Sequence, residues 1–289
     1  MSQSALVSPN PINVASVPQR SPFRYPGGKT WLVPFARQWL QTLRPRPIEL
    51  IEPFAGGGII GLTAAFEGLA DHVTLVELDD DVASVWQAIL SDEAANLADD
   101  ILDFELSLEN VTSLLSRPAK NLRERAFQTI VRNRVNRGGI LAAGAGMIKT
   151  GEAGKGIASR WYPETLKRRI LAIAAMRHRI SFVHGDGIEI ICQNAHRAAA
   201  AFLIDPPYTA GGKKAGSRLY THWQIDHPRL FDLVTALPGH FLMTYDEAAP
   251  IRELADSHHL DTHLVPMKNT HHARMMELVV GRDLRWARR

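Results

Sequence analysis

Two consecutive prolines, Pro206-Pro207, close the apolar run Ala200-Ala201-Phe202-Leu203-Ile204, with a single acid, Asp205, between them. Neither proline has an N–H to donate, so neither can extend a sheet ladder. The run must be a strand that stops there, leaving at its carboxyl end Asp205, a stiff backbone with carbonyl acceptors and the ring of Tyr208. In open α/β sheets that edge is where ligands bind. Carboxylate and carbonyl acceptors suit an exocyclic amino group, and an aromatic face suits a stacked base. Taken alone, Asp205-Pro206-Pro207-Tyr208 also fits an ordinary strand followed by a proline turn.

The surrounding pattern supplies such a sheet. From Ile48 onward, short apolar runs alternate with helical periodicity, as in βαβ units around a parallel sheet. The spacing predicts strands at 48–54, 72–78, 180–184, 200–204, 240–245, 260–265 and 275–280. It predicts helices at 29–43, 58–69, 80–90, 227–237 and 250–257. Between Ser91 and Arg179 the pattern turns helical and basic, broken by a glycine- and alanine-rich stretch at 138–146. The expected organisation is a leader at 1–21, a sheet domain built from 22–90 and 180–289, and an inserted helical unit at 91–179. The leader is rich in Ser, Pro and Asn and lacks an apolar segment, so it is expected to be disordered rather than a signal peptide.

The first strand runs into Glu52-Pro53-Phe54-Ala55-Gly56-Gly57-Gly58-Ile59-Ile60-Gly61. Gly56, Gly58 and Gly61 have the G-x-G-x-x-G spacing between a strand and a helix, and Glu77 closes the second strand twenty-one residues after Gly56. Glycines let the backbone approach a nucleotide, and the acid accepts from ribose hydroxyls. An adenosine-containing ligand is expected, with NAD and S-adenosylmethionine both open at this point. Upstream, Gly28-Lys29-Thr30 imitates the tail of a phosphate-binding P-loop. The first glycine of that motif would fall at position 23, which is Phe, and Ser21-Pro22 before it is no strand. The surviving reading is a turn that opens a helix, with Tyr25 and Lys29 near a ligand.

Net charge is only +3, yet Asn110–Ile180 holds fifteen Lys and Arg against three acids, a local +12 that leaves −9 elsewhere. Lys and Arg that neutralise phosphates are the sequence-independent source of nucleic-acid affinity, so this segment is expected to face nucleic acid. Arg132, Arg134 and Arg137 lie where a helix runs into Gly138-Gly139. Arg134 and Arg137, three apart, share a face, and contact with phosphates is favoured over contact with bases. The one cysteine, Cys192, excludes an intramolecular disulfide and argues against a cysteine-based zinc site, which suits a cytoplasmic protein. It follows two isoleucines and reads as core. No apolar run approaches the roughly 20 residues of a membrane span. His258, His259, His263, His271 and His272 lie across a helix end, a strand and a turn, without metal-site spacing. Trp161 and Tyr162 read first as packing residues.

In this order, Tyr25-Pro26-Gly27-Gly28-Lys29, Glu52 to Gly58, a basic insertion and Asp205-Pro206-Pro207-Tyr208 resemble the Dam-type (D12 class, α-group) DNA adenine-N6 methyltransferases, over Phe23 to Arg282. The resemblance implies an α/β fold, a seven-stranded Rossmann-like S-adenosylmethionine-dependent methyltransferase sheet with an inserted helical target-recognition domain. It implies double-stranded DNA as partner and a monomer. Tyr25 and Lys29 would help hold S-adenosylmethionine, with Phe54, Gly56 and Gly58 beside it. Glu77 would take the ribose hydroxyls, and Asp186 in His184-Gly185-Asp186-Gly187 the cofactor's adenine amino group. The family's insertion usually carries Tyr-Asn-Gly and Phe-Asn-Pro elements. Here Asn133-Arg134-Val135-Asn136-Arg137-Gly138-Gly139 leads into a Gly/Ala loop, closer to some phage-borne members. A GATC target is therefore not implied, and restriction-modification, orphan and phage settings stay open.

The chemistry follows from the residue types. An adenine amino nitrogen is a poor nucleophile because its lone pair is delocalised into the ring. Hydrogen bonds to the Asp205 carboxylate and Pro206 carbonyl would favour a pyramidal nitrogen with its lone pair turned toward the sulfonium methyl. Transfer is then an in-line displacement governed by orientation and electrostatics, with no metal required. A base inside a duplex cannot reach such a pocket, so it must flip out and stack, in this reading on Tyr208. Lys213 and Lys214, within the glycine-rich run 209–216, suit either a phosphate-touching lid or an inert loop. The same acceptors would serve N4 of cytosine or an RNA base. A nicotinamide oxidoreductase would explain only the glycine turn and its acid, and a non-catalytic DNA-binding protein only the basic segment.

Overall fold

The computed structural model describes residues 14–24, 28–151, 154–208, 221–222, 224–268 and 274–288. Tyr25, Lys213, Lys214, His271, His272, the expected lid and most of the expected leader lie outside these residues.

Strands β1 (Glu49–Glu52), β2 (His72–Glu77), β3 (Ile180–His184), β4 (Ala200–Ile204), β5 (His240–Asp246), β6 (Asp261–Lys268) and β7 (Arg274–Gly281) form one sheet. Their order is β3-β2-β1-β4-β5-β7-β6. The first five strands are parallel to one another, and β7 runs antiparallel between β5 and β6. Parallel strands covered on both faces read as continuous apolar runs. So it is with β4, buried at all five positions. Its side chains alternate between two cores, Ala201 and Leu203 on one face and Ala200, Phe202 and Ile204 on the other. β6 and β7 are longer than the apolar runs suggested, because their ladder extends from Asp261↔Gly281 to Lys268↔Arg274.

Helices α1 (Val33–Thr42), α2 (Ile59–Glu67) and α3 (Asp80–Ile89) cover the first face. Helices α8 (Gly187–Gln193), α9 (His227–Ala236) and α10 (Ala249–Ser257) cover the second. The expected helix at 29–43 is divided, a 3-10 turn at Lys29–Leu32 preceding α1. α8 is too short to show periodicity, and it corrects the reading of Cys192 as core. Ile190 and Ile191 fill its buried side, so the next position, turned a further 100°, is exposed.

The inserted segment contributes α4 (Ala94–Asp103), α5 (Leu108–Leu115), α6 (Leu122–Val135) and α7 (Pro163–Ala175). Leu97, Val111, Ile130 and Ile170 from these helices belong to the same hydrophobic core as α1–α3. α6 packs on α3 and α7 on α4, which continues the sheet's helical layer. The chain travels outward from β1 to β3 and returns to β4 on the other side of β1. That reversal opens a crevice between the carboxyl ends of β1 and β4.

Candidate active site

The crevice begins with the turn after β1. Glu52 is buried, and its Oε2 accepts the Gly61 N–H at 2.9 Å. Gly61 leaves no room for a side chain, since a Cβ there would stand 2.6 Å from both Glu52 Oε2 and Leu75 Cδ2. Gly56 donates its N–H to Glu77 Oε2 at 3.0 Å and accepts the Trp86 indole N–H at 3.0 Å. Glu77 Oε1 accepts from Leu78 and Asp79 N–H at 2.9 and 3.0 Å. Each carboxylate oxygen has two lone pairs, so Glu77 keeps acceptor capacity for a ligand hydroxyl. Burial lifts its carboxyl to about 7 despite these backbone donors.

Asp186, after β3, caps α8 through Oδ1, which accepts from Ile188 and Glu189 N–H at 2.7 and 3.2 Å. Gly187 lies against Phe54, whose ring would be 2.8 Å from an added Cβ. Phe54, Gly56, Glu77, Asp186, Lys29 and Asp205 line one cavity of about 580 Å³. That volume is within the usual range for small-molecule sites.

At the far end of the cavity five side chains from four parts of the chain converge. Asp205 Oδ1 accepts from Thr244 Oγ1 on β5 at 2.7 Å and from Tyr208 OH at 2.8 Å, and pairs with Lys29 Nζ at 3.2 Å. Among the described residues nothing donates to Asp205 Oδ2. Glu277 on β7 meets the same groups, with Oε2 3.2 Å from Lys29 Nζ and 2.9 Å from Tyr208 OH. The Lys29 ammonium also lies 4.5 Å from the Tyr208 ring centroid. Burial raises the Glu277 carboxyl, the Lys29 charge pulls it back down, and the Asp205 charge raises it further. Burial also holds the Tyr208 hydroxyl well above its ordinary value, so it stays a donor. Glu52, pushed up to about 8 chiefly by burial, feels the Asp205 charge as well.

Lys29, expected near a ligand, has its ammonium at the Asp205 end of the cavity. Glu277 and Thr244 were not singled out in the sequence. The one signal for Glu277 is an acid inside the apolar strand Met275–Val280.

The basic segment is used differently from its first appearance. Arg132 pairs with Asp81 at 2.7 Å, and Arg125 with Asp81 and Asp80 at 2.8 and 3.2 Å. Arg123 reaches Glu93 and Asp100, Lys167 reaches Asp99, and Arg177 reaches Asp92. Arg134 is buried, and its guanidinium bonds the Pro22 carbonyl. Arg137 is exposed, so the two residues do not share one open face. Beside Arg134, Asn133 accepts the Arg24 N–H at 2.9 Å and donates to the carbonyls of Arg24 at 2.9 Å and Gly139 at 2.7 Å. α6 therefore grips the strand of chain that enters the cavity at Arg24. Trp161 packs edge-on to Phe104, while Tyr162 is 48% exposed with its hydroxyl on the Ser159 carbonyl. His258 bonds Asp232, and His263 is stacked on Phe35. No group of three or more His, Cys, Asp or Glu among the described residues is arranged to hold a metal ion. No helix among them is long and apolar enough to cross a membrane.

This strand order, with its reversed β7 and a cavity at the β1/β4 crevice, is that of a Rossmann-like methyltransferase. Within that class the chain belongs to the D12 class N6 adenine-specific DNA methyltransferase family, whose pattern matches residues 25–271. Among solved structures it is similar to the rRNA methyltransferase aviRa from Streptomyces viridochromogenes, at 15% identity over 89% of this chain and 85% of that one, with a TM-score of 0.41. It is also similar to a conserved hypothetical protein from Streptococcus pyogenes, at 10% identity over 81% and 86% of the chains, with a TM-score of 0.31. A search among curated proteins finds none that matches.

Proposed function

We propose that this protein transfers a methyl group from S-adenosylmethionine to N6 of an adenine flipped out of double-stranded DNA. The observation that carries the reading is Asp205. Its Oδ1 is saturated by Tyr208, Thr244 and Lys29, while Oδ2 receives no donor from the described residues. An amino group entering beside Pro206 finds a fixed acceptor of that kind, and fixing the acceptor before reaction is what lowers the barrier.

The cavity fits the cofactor on its own residues. Glu77 can take ribose hydroxyls, the Gly56–Gly58 backbone allows close approach, and Asp186 keeps Oδ2 outside its helix cap for an amino donor. Tyr25, outside the described residues, is assigned to the cofactor by the family resemblance alone. When bound, S-adenosylmethionine supplies an electrophilic methyl group on a sulfonium. Asp205 and the Pro206 carbonyl orient the amino nitrogen, and Tyr208, its hydroxyl held by two acids, presents its ring to the base. Arg137 and the Lys213–Lys214 pair are assigned to phosphate contact; Arg132 and Arg134 already hold protein partners. The basic segment 91–179, acting as the target-recognition element, would choose the sequence methylated.

Purified protein incubated with methyl-labelled cofactor and unmethylated genomic DNA should label the DNA, with N6-methyladenine as the product in nucleoside mass spectrometry. Label in N4-methylcytosine, label only in RNA, or no label at all would overturn the reading.

A further inference from the structure

The acid pair around Lys29 has an uneven charge. Lys29 contributes one positive charge, and Asp205 and Glu277 contribute two negative ones when ionised, so the cluster is one proton short of neutral. It is also enclosed, with Lys29 and Glu277 each 7% exposed. Tyr208 spans the two carboxylates, 2.8 Å from Asp205 and 2.9 Å from Glu277. An excess charge in such a place is costly unless something balances it.

We infer that Glu277 is the resting place of the proton that the substrate amino group loses, reached from Asp205 across the Tyr208 hydroxyl. The inference rests on the methyl-transfer reading and assigns it one more residue. Before transfer the cluster is −1 and a sulfonium beside it is +1. As the nitrogen lone pair bonds the methyl carbon, the C–S pair stays on sulfur and the positive charge moves to nitrogen. That nitrogen gives its proton to the Asp205–Tyr208–Glu277 chain. The proton ends on Glu277, while Asp205 and Tyr208 return to their starting states. The cluster is then neutral beside a neutral thioether, so the enclosed site carries no net charge before or after.

The surroundings of Glu277 favour it as the stopping point. Facing it are Lys29, Asp205 and Tyr208, with Asp246 opposite in the β5–β7 register, and its own burial raises its affinity for a proton. Lys29 opposes this, but it is shared with Asp205. Glu277 acts through Tyr208 and Asp205 and positions charge for them without touching the base.

The test separates this role from a structural one. Isothermal titration of the full-length protein with S-adenosylmethionine and with S-adenosylhomocysteine, in two buffers of different ionisation enthalpy, counts protons exchanged on binding. Wild type should hold up to one more proton with the uncharged thioether than with the sulfonium, and Glu277→Gln should abolish the difference. In single-turnover methylation, Glu277→Gln should slow transfer about 10²-fold and lose the acid limb of the pH profile, and Glu277→Asp should restore that limb. Equal proton counts in wild type, or a Glu277→Gln profile identical to wild type, would overturn the proposal. The wild-type titration needs neither turnover nor the variant, so it still tests the proton uptake if Glu277→Gln fails to fold, and Glu277→Asp then carries the assignment through a shifted acid limb. If wild type methylates nothing, it is the functional reading that falls.

Discussion

Asp205 Oδ1 receives three partners because the strand stops beside it, and this fixes what its replacement should do. Asp205→Ala should lower kcat for methylation by about 10²-fold or more while affinity for the uncharged S-adenosylhomocysteine, measured by calorimetry, stays unchanged. Loss of cofactor binding together with activity would instead mean that Asp205 holds the cavity open. The two buried acids Glu52 and Glu77 set a pH dependence of stability. Folding raises Glu52 from an ordinary 4.5 to about 8 and Glu77 from 4.5 to about 7. Above 4.5 the native state therefore holds protons the unfolded chain has lost, and this stabilisation fades as pH climbs through 7 and then 8. Melting temperatures should fall across that window in the protein without ligand. Glu52→Gln, which keeps the shape and removes the titration, should flatten the upper part of the fall.

Among the elements, α6 has two tasks. Its Asn133 pairs with the backbone of Arg24 as a strand would, and Gly139 closes the grip because a Cβ there would stand 2.1 Å from the Arg24 carbonyl. Asn133→Ala should destabilise the fold by about 1–3 kcal/mol in denaturant titration, since it strands buried polar groups. It should also weaken cofactor binding through the loosened entry strand. Much of the sheet was legible in the sequence. Continuous apolar runs mark parallel strands, and the Gly56–Gly61 turn with Glu77 marks one wall of the cavity. The second role of α6 was not legible, because spacing shows which residues share a helix face but not what that face meets. Arg134 looked like a surface cation and is a buried clamp. Glu277 was hidden for a related reason: it is 248 residues from Lys29, and only the insertion of β7 between β5 and β6 brings them together.

At the scale of the whole molecule, five of the fifteen cations behind the local +12 (Arg123, Arg125, Arg132, Lys167 and Arg177) pair with acids of α3, α4 and the turn between them. Exposed ion pairs of this kind contribute little stability, about 0–1 kcal/mol each, but they withdraw cations from phosphate binding. The salt dependence of DNA affinity should then be far shallower than fifteen cations would give. Arg137→Ala should reduce the slope by about 1, whereas Arg134→Gln should leave the slope alone and lower the melting temperature. The short stretch from Glu77 to Asp81 carries a further consequence. One end faces the cofactor cavity, and the other holds Arg125 and Arg132 of α6. On the proposed reading, a shift of α6 on duplex binding would reach the cavity along this five-residue stretch, and any tightening would be returned by the same factor. Cofactor affinity measured with and without duplex should differ in wild type and converge in Asp81→Asn. A protein wired this way would search DNA with a loose grip on its reagent and close on it only at the place where it is used.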